Sequence, residues 1–355
     1  MMQASQPTDV NTMSTTCVTL RAAHHHTRSG PDHLARYAAS RTLTLALSRW
    51  PAGRIPAALN TLCAAVSRAP WYSYAALRLE MTTMGDMSAR RGELYHFLHA
   101  DTDCRYVPFL NGWRDHKVMA TYHQPPAQLR QGVPSDTIRK LSAVVAVASN
   151  QVGYLSELAP PDRVFTVPLG VDTQYFSPSA DPKASPPLIL SVGGHLRDCG
   201  AFSLAASLVG RREPEARFVV VTRPSYAEQF AGLGNVQVRH HVPDEELLAL
   251  YRQATMAVLP LSDSTANLAL LEAIACALPV IVTDVGGVRD YVDDSCALLA
   301  PLGDGTAIAE LVLQLLNDST LRRSLGQRSR ARALRFDFRL VAERMKRVYA
   351  AVKQL

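Results

Sequence analysis

The sequence predicts an α/β protein made of two doubly wound, Rossmann-like domains. Three observations carry that expectation. Short apolar runs such as AVVAVAS (143–149), RFVVVT (217–222) and PVIVTD (279–284) lack the in–out alternation of a strand with one wet face. Runs of that kind suit parallel strands covered on both sides. They alternate with stretches of helical period, and repeated β–α units imply right-handed crossovers and a doubly wound sheet. A proline-rich stretch, GVDTQYFSPSADPKASPP (170–187), divides this alternation into two halves of ordinary domain size.

Composition supports the same class. The 355 residues are 47% hydrophobic and 19% charged, enough for each half to bury a core, and nothing suggests disorder, collagen or a coiled coil. Aromatics are only 7%, which favours helices packed on sheets over an all-β sandwich. No run of about 18 apolar residues occurs, so no membrane span is expected. The first sixteen residues are polar and lack the apolar stretch of a signal peptide. The six cysteines lie far apart with no CxxC pair, which excludes the usual zinc and redox spacings and reads as a reduced, cytoplasmic chain.

In order along the chain, residues 1–16 read as a disordered lead-in. CVTL (17–20) reads as a strand and DHLARYAAS (32–40) as a helix, whereas 41–90 is helical or irregular. ELYHFL, HKVMATY, AVVAVAS and VFTVPL then read as strands, with CRYVPFLNGW and VGYLSEL as helices between them. Residues 17–168 thus form a first domain and 169–185 a linker. The second domain, 186–335, has strands at LILSV, RFVVVT, VQVRH, MAVLPL, PVIVTD and CALLA. Its helices are AFSLAASLVGRR, YAEQFAGL, DEELLALYRQA, NLALLEAIACA and GGVRDYV, and long helices close the chain.

Ligands of open α/β sheets sit beyond the carboxyl ends of the strands, so the loops there are where chemistry is expected. After MAVLPL comes a loop of small residues and a helix starting near Asn267, whose N-terminal amides suit a diphosphate. Glu272 follows, alone among apolar residues. It needs a salt bridge or hydroxyls to accept, and a ribose diol would serve. In SVGGHLRDCG (191–200), Gly193 and Gly194 allow close backbone approach, and His195 and Arg197 follow. Arg197 would clamp phosphate through parallel hydrogen bonds, although structural glycines beside a surface arginine explain the segment equally well. His123, directly after a strand in ATYHQPP, is either a proton donor near neutral pH or a structural histidine. Ser29 and Gly30, in HHHTRSGPDH, leave room for a substrate at the backbone. The adjacent His24, His25 and His26 cannot all converge on one metal ion.

Together these segments resemble glycosyltransferase family 4, retaining enzymes of the GT-B fold. VPLGVDTQYFSP (167–178) resembles that family's interdomain segment. DEELLALYRQATMAVLPL (244–261), LLEAIACALPVIVTDVGGVRDYV (270–292) and LLAPLGDGTAIAELV (298–312) follow its donor-domain pattern in order and spacing. The resemblance implies two Rossmann-like domains facing a cleft, an acceptor domain over 17–168 and a donor domain over 186–335. It also implies a closing helix over 336–355 that crosses back to the first domain. The family's donor site carries two glutamates spaced E-x7-E. Glu272 matches the second, which implies contact with the donor ribose, while the first falls on Ser264, with Asp263 beside it. By the same carry-over, Ser264, Thr265, Ala266, Asn267 and Leu268 offer groups to sugar and phosphate. The family's phosphate-binding Arg and Lys fall on Gly194 and Cys199, so Arg197 and His195 are expected to supply that charge. His123 matches a histidine near the transferred sugar, and Ser29 and Gly30 fall on the acceptor side.

The resemblance implies transfer of sugar from a nucleoside diphosphate sugar with retention, with no permanently bound cofactor and no metal, to a glycan, lipid-linked or small-molecule acceptor. No DxD-type metal motif stands at a strand end near the expected cleft. The departures at Ser264, Gly194 and Cys199 leave open a non-catalytic GT-B protein that binds nucleotide or glycan. An epimerase or phosphorylase on the same scaffold is a third reading, the phosphorylase lacking a recognisable pyridoxal-binding lysine. The net charge of +6 fits an anionic ligand or surface. Its excess lies after residue 320, where arginines dominate and only Asp337 and Glu343 oppose them. That region reads as a solvated helical face or a peripheral membrane contact, and no motif supports nucleic acid.

Overall fold

In the computed structural model, the described residues are 13–21, 30, 32–46, 54–179 and 185–355. They divide into two compact units. The first holds the described residues up to Pro168, except Gly30, together with Arg339–Leu355; the second holds Leu169–Phe338 and Gly30.

The first unit is built on a six-stranded parallel sheet: β1 (Thr15–Arg21), β2 (Arg41–Ala46), β3 (Leu94–Phe97), β4 (Lys117–Tyr122), β5 (Ala143–Ala146) and β6 (Val164–Thr166), in the order β2-β1-β3-β4-β5-β6. β3 and β5 are buried at every position, as a strand covered on both faces should be. Its helices are α1 (Asp32–Ala38), α2 (Arg54–Ser67), α3 (Tyr74–Ala89), α4 (Ala100–Asp103), α5 (Pro126–Gly132), α6 (Ser135–Arg139) and α7 (Val152–Ser156). One face of the sheet buries Tyr95, Phe97, Val118 and Tyr122 with Leu79 and Met87 of α3. The other buries Leu94, Met119 and Val145 with Val341, Met345, Val348 and Val352 from the end of the chain.

The second unit repeats the plan with β7 (Leu188–Val192), β8 (Arg217–Val221), β9 (Val236–Arg239), β10 (Met256–Leu259), β11 (Val280–Thr283) and β12 (Leu298–Ala300), ordered β12-β11-β10-β7-β8-β9 and parallel throughout. Its helices are α8 (Cys199–Arg212), α9 (Asp244–Gln253), α10 (Leu268–Ala275), α11 (Val288–Tyr291), α12 (Gly305–Asn317) and α13 (Ser319–Ala333); α14 (Phe338–Gln354) closes the chain. Aspartates start three of these helices: Asp198, Asp304 and Asp318 each accept a backbone N–H from the residue three positions on. Such a cap stabilises a helix by about 1 kcal/mol.

Several expectations are corrected. β1 begins at Thr15, inside the expected disordered lead-in. The stretch 41–90 opens with β2, whose TLTL alternation suits an edge strand, and then forms α2 and α3. CRYVPFLNGW makes only short 3₁₀ turns at Val107–Leu110 and Trp113–Asp115. Pro108 opens the first turn, and Gly112, at φ 86°, breaks the path to the second. YAEQFAGL likewise lies in a 3₁₀ stretch, Pro224–Phe230, bounded by its own proline and by Gly232 at φ 83°. Helices α5 and α6, after Pro125 and Pro134, were not foreseen. The linker is no loose tether over its first half: Val171 pairs with Asp337, and Phe176 is buried edge-on against Tyr251.

Most basic residues after residue 320 are exposed, as a solvated face requires, but three arginines turn inward. Arg322 donates to the carbonyls of Leu315 and Leu316, and Arg332 to those of Asp290 and Tyr291. Arg330 donates to Thr173, Phe176 and Ala275. Ala275 is the last residue of α10, so Arg330 places a cation at that helix's negative end. Arg344, Lys346 and Arg347 of α14 are exposed, and Lys346 pairs with Glu343 at 2.8 Å. No helix of the described residues is long and apolar enough to cross a membrane.

Candidate functional site

In the second sheet β7 and β10 are neighbours, with β8 and β9 on one side and β11 and β12 on the other. The chain reverses its direction of sheet growth there, which is where open α/β sheets bind ligands. The two loops leaving these strands are zipped together. Arg197 bridges Leu261, Asp198 N–H donates to Pro260 O, and Ser262 N–H donates to Leu196 O, the last two at 3.0 Å. Gly287 N–H donates to Ser264 O, which ties in the loop after β11. Most of the residues expected to bind the donor converge on this edge: Gly193, Gly194, His195, Arg197, Ser264, Thr265, Ala266, Asn267 and Leu268.

Their placements differ. Gly193 takes φ 97°, a left-handed conformation, and a Cβ there would meet the Arg197 guanidinium at 2.8 Å. His195 is exposed, while Arg197 is half-buried. Arg197 Nε and Nη2 both donate to Val192 O, the last carbonyl of β7, and Nη2 also reaches Asn267 Oδ1 at 3.4 Å. Among the described residues no carboxylate pairs with it. Burial lowers its pKa to about 10, which leaves it charged at neutral pH. Asn267 caps α10 by accepting from Leu270 N–H at 3.2 Å. A cation and a helix N-terminus, both positive, thus meet without an anion between them. Ser264 and Thr265 are buried, and Ser264 Oγ donates to Thr265 O. Cys199 is the first residue of α8, its thiol pushed up by burial.

Glu272 is 3% exposed, on the buried side of α10. Its Oε2 accepts from Tyr251 Oη at 2.9 Å. Tyr251 is buried, and its proton is held more tightly than usual, by desolvation first and by the Glu272 charge second. The partnership passes through three elements: Phe176 of the linker backs the Tyr251 ring at 6.1 Å, Tyr251 rises from α9, and Glu272 faces it from α10. Tyr251 was not singled out from the sequence. The available signal was an aromatic with a polar tip on the apolar stripe of an amphipathic helix, beside Leu247 and Leu248.

The first sheet has the same kind of switch, between β1 and β3. The loop after β1, with Ser29 and the three histidines, lies outside the described residues. Gly30 is buried at φ 119°. His123 follows β4, and its N–H and that of Gln124 donate to the Asp101 carboxylate at 3.0–3.1 Å. His123 Nε2 donates to Leu98 O at 2.7 Å, so that nitrogen carries a proton. The His99 ring lies 4.9 Å away. Burial raises both Asp101 and Asp103, the latter to about 7, although Asp103 accepts Thr102 Oγ1 at 2.6 Å and Leu20 N–H at 3.2 Å. Neither aspartate was singled out from the sequence. The chain segment DTD just after β3 was their only signal, and it corrects the expectation that no DxD spacing stands at a strand end.

Behind the His123 edge, His96 of β3 bonds Thr121 Oγ1 at 2.7 Å and Tyr349 Oη of α14 at 2.8 Å. Burial lowers it to about 3, so it is neutral. The buried Glu80 holds the loop after α4, accepting the N–H groups of Arg105, Tyr106 and Val107 at 2.8–2.9 Å. Among the described residues no group of three or more His, Cys, Asp or Glu side chains is placed to hold a metal ion.

Residues 187–318 match the family described as Glycosyl transferases group 1. A D-inositol 3-phosphate glycosyltransferase of Frankia alni is 31% identical over 257 residues, covering 64% of this chain and 62% of that protein. A second protein of that name, from Saccharomonospora viridis, is covered over 51% of its length, so the chain spans between half and two thirds of these relatives. The alpha-maltose-1-phosphate synthase of Mycolicibacterium smegmatis is 26% identical over 295 residues, covering 73% of this chain and 74% of that one. Among solved structures, Anabaena HepE in complex with UDP-glucose superposes with a TM-score of 0.69 at 11% identity, over 95% of this chain and 99% of that one. Sucrose-phosphate synthase from Thermosynechococcus elongatus superposes at 0.64 and 20% identity, over 86% and 82%. Residues 187–318 are therefore similar to the Glycosyl transferases group 1 family, and the chain has the GT-B fold.

Proposed function

We propose that this protein is a metal-independent retaining glycosyltransferase that moves a sugar from a nucleoside diphosphate sugar to an acceptor hydroxyl. The observation that supports it most is the positive charge at the second sheet's switch point, which no carboxylate pairs with among the described residues, with Glu272 on the helix that starts there and bonded to Tyr251. In this reading the diphosphate lies against Arg197 and the first amides of α10, and Glu272 accepts from the ribose hydroxyls. The bond from the anomeric carbon to the β-phosphate oxygen breaks with its electron pair going to that oxygen. Arg197 and the α10 N-terminus offset the charge that collects there. The acceptor oxygen bonds to the anomeric carbon on the same face, and its proton passes to the departing phosphate. His123, oriented by Asp101 and Leu98, belongs near the transferred sugar.

The acceptor is assigned to the C-terminal edge of the first unit's sheet. Relatives named for inositol 3-phosphate and maltose-1-phosphate favour a small phosphorylated polyol or sugar. A peripheral membrane contact would fall to the exposed Arg344, Lys346 and Arg347 of α14.

Thermal melting with UDP, ADP and GDP tests the reading. A ligand at about one hundred times its Kd adds about 2.7 kcal/mol, which raises the Tm of a domain this size by roughly 5–10 °C. No shift with any of the three rejects it.

A further inference from the structure

A glutamate side chain turns about several bonds, and a ligand that must first order it binds more weakly than one that finds it ordered. Glu272 is held by a group from a different helix. Its Oε2 accepts from Tyr251 Oη at 2.9 Å, and the same phenol oxygen lies 3.4 Å from Ala269 O in the first turn of α10. A phenol has one proton to donate, and the shorter bond to the carboxylate takes it. Burial and the Glu272 charge both keep that proton on Tyr251, so the ring oxygen is a donor at neutral pH.

Tyr251 is held in turn by the linker. Phe176 packs edge-on against it at 6.1 Å, and both rings are buried. The backbone that carries Phe176 is fixed from two helices. Arg330 of α13 donates to Phe176 O at 3.0 Å. Arg252, the neighbour of Tyr251 in α9, donates to Ser177 O at 2.9 Å and to Ser177 Oγ at 3.0 Å. A segment outside the β–α repeat thus braces the ring whose hydroxyl meets the carboxylate.

We infer that Tyr251 is a positioning residue for donor binding: braced by Phe176 of the linker, its hydroxyl holds Glu272 in the rotamer that meets the donor ribose. The inference rests on the nucleotide-sugar reading above and adds to it the residues that prepare the carboxylate. Ordering of this kind strengthens the ribose contact and leaves the phosphate contacts alone.

Calorimetric titration of the full chain tests it, with UDP, ADP and GDP, the 2′-deoxy form of the preferred one, and inorganic pyrophosphate. Tyr251→Phe keeps the ring and removes the hydroxyl. It is expected to weaken the preferred nucleoside diphosphate about five- to twentyfold and to lower the ribo-to-deoxy affinity ratio about threefold or more, with pyrophosphate within about twofold of the parent. A carboxylate that loses a donor is protonated more readily, so nucleotide affinity in Tyr251→Phe should fall more steeply than in the parent between about pH 7.5 and 5.5. On a Glu272→Gln background the same change should matter only about twofold. Phe176→Leu, with the phenol still present, should lower the ribo-to-deoxy ratio in the same direction, and an unchanged ratio overturns the linker's part. An unchanged ratio in Tyr251→Phe, or an equal loss for pyrophosphate, overturns the positioning role and leaves Tyr251 as packing alone. If the parent binds nucleotide without preferring ribose, this inference falls and the transferase reading stands. If the parent binds none of the three nucleotides, both fall.

Discussion

Replacing Glu272 by glutamine tests the ribose assignment with little disturbance to the fold. The amide keeps the size of the carboxylate, and its oxygen can still accept from Tyr251 Oη, which sits 2.9 Å from Oε2. The Tm is therefore expected to move by no more than about 2 °C. Binding should suffer more. Hydrogen bonds to a charged acceptor contribute about 1.5–3 kcal/mol and neutral ones about 0.5–1.5, so each ribose hydroxyl loses about 1 kcal/mol. Two hydroxyls give about 2 kcal/mol, roughly a thirtyfold weaker Kd for the nucleoside diphosphate. Calorimetry with the ribonucleotide and its 2′-deoxy counterpart, on both proteins, separates contact from general disturbance. If Glu272 holds the diol, the deoxy ligand has already lost one bond, and the substitution should cost it about 1 kcal/mol less. An identical ratio of ribo to deoxy affinity in the two proteins would refute the contact, whatever happens to the Kd values.

Two further outcomes concern stability. Gly305→Ala would drive a Cβ to 2.5 Å from the Ala201 carbonyl and 2.9 Å from Leu204 Cβ, where α12 meets α8. Overpacking of that kind costs about 1–3 kcal/mol, so thermal melting should show a loss of roughly 3–10 °C, and an unchanged Tm would contradict the packing. Asp103 rises from 3.8 to about 7 on burial, so the folded state holds a proton that the unfolded chain has already released. Its stabilisation is present below about pH 4 and is lost as pH rises through about 7. Between about pH 5 and 8 the Tm of the parent protein should therefore fall more steeply than that of Asp103→Asn; parallel curves would show that Asp103 titrates normally.

The sequence was most legible where local pattern and tertiary role coincide. β5, β8 and β11 are short apolar runs buried nearly throughout, and their composition could mean little else. Glu272 stood out because a lone carboxylate on an apolar helix demands an explanation, and Asn267 because it caps that helix. What stayed hidden depends on contacts between distant segments. Tyr251 meets Glu272 across 21 positions, and the Asp101 carboxylate meets the His123 backbone across 22. No periodicity encodes either meeting. Gly194 read equally well as a structural loop residue, because the ring that occupies its missing side-chain space, that of Tyr226, comes from another loop. Three arginines after residue 320 misled in the opposite direction: Arg322, Arg330 and Arg332 look like part of a basic face in sequence but end on backbone carbonyls.

The chain leaves the first unit at Pro168 and returns to it at Arg339. Val341, Met345, Val348 and Val352 fill one face of the first sheet, and Tyr349 bonds the buried His96. During synthesis, which runs from the N-terminus, the second unit can complete its core while α14 is still inside the ribosome. The first unit, although made earlier, must wait for the final residues with that face of its sheet uncovered. A stop codon shortly before residue 339 would therefore injure the half of the protein that was translated first.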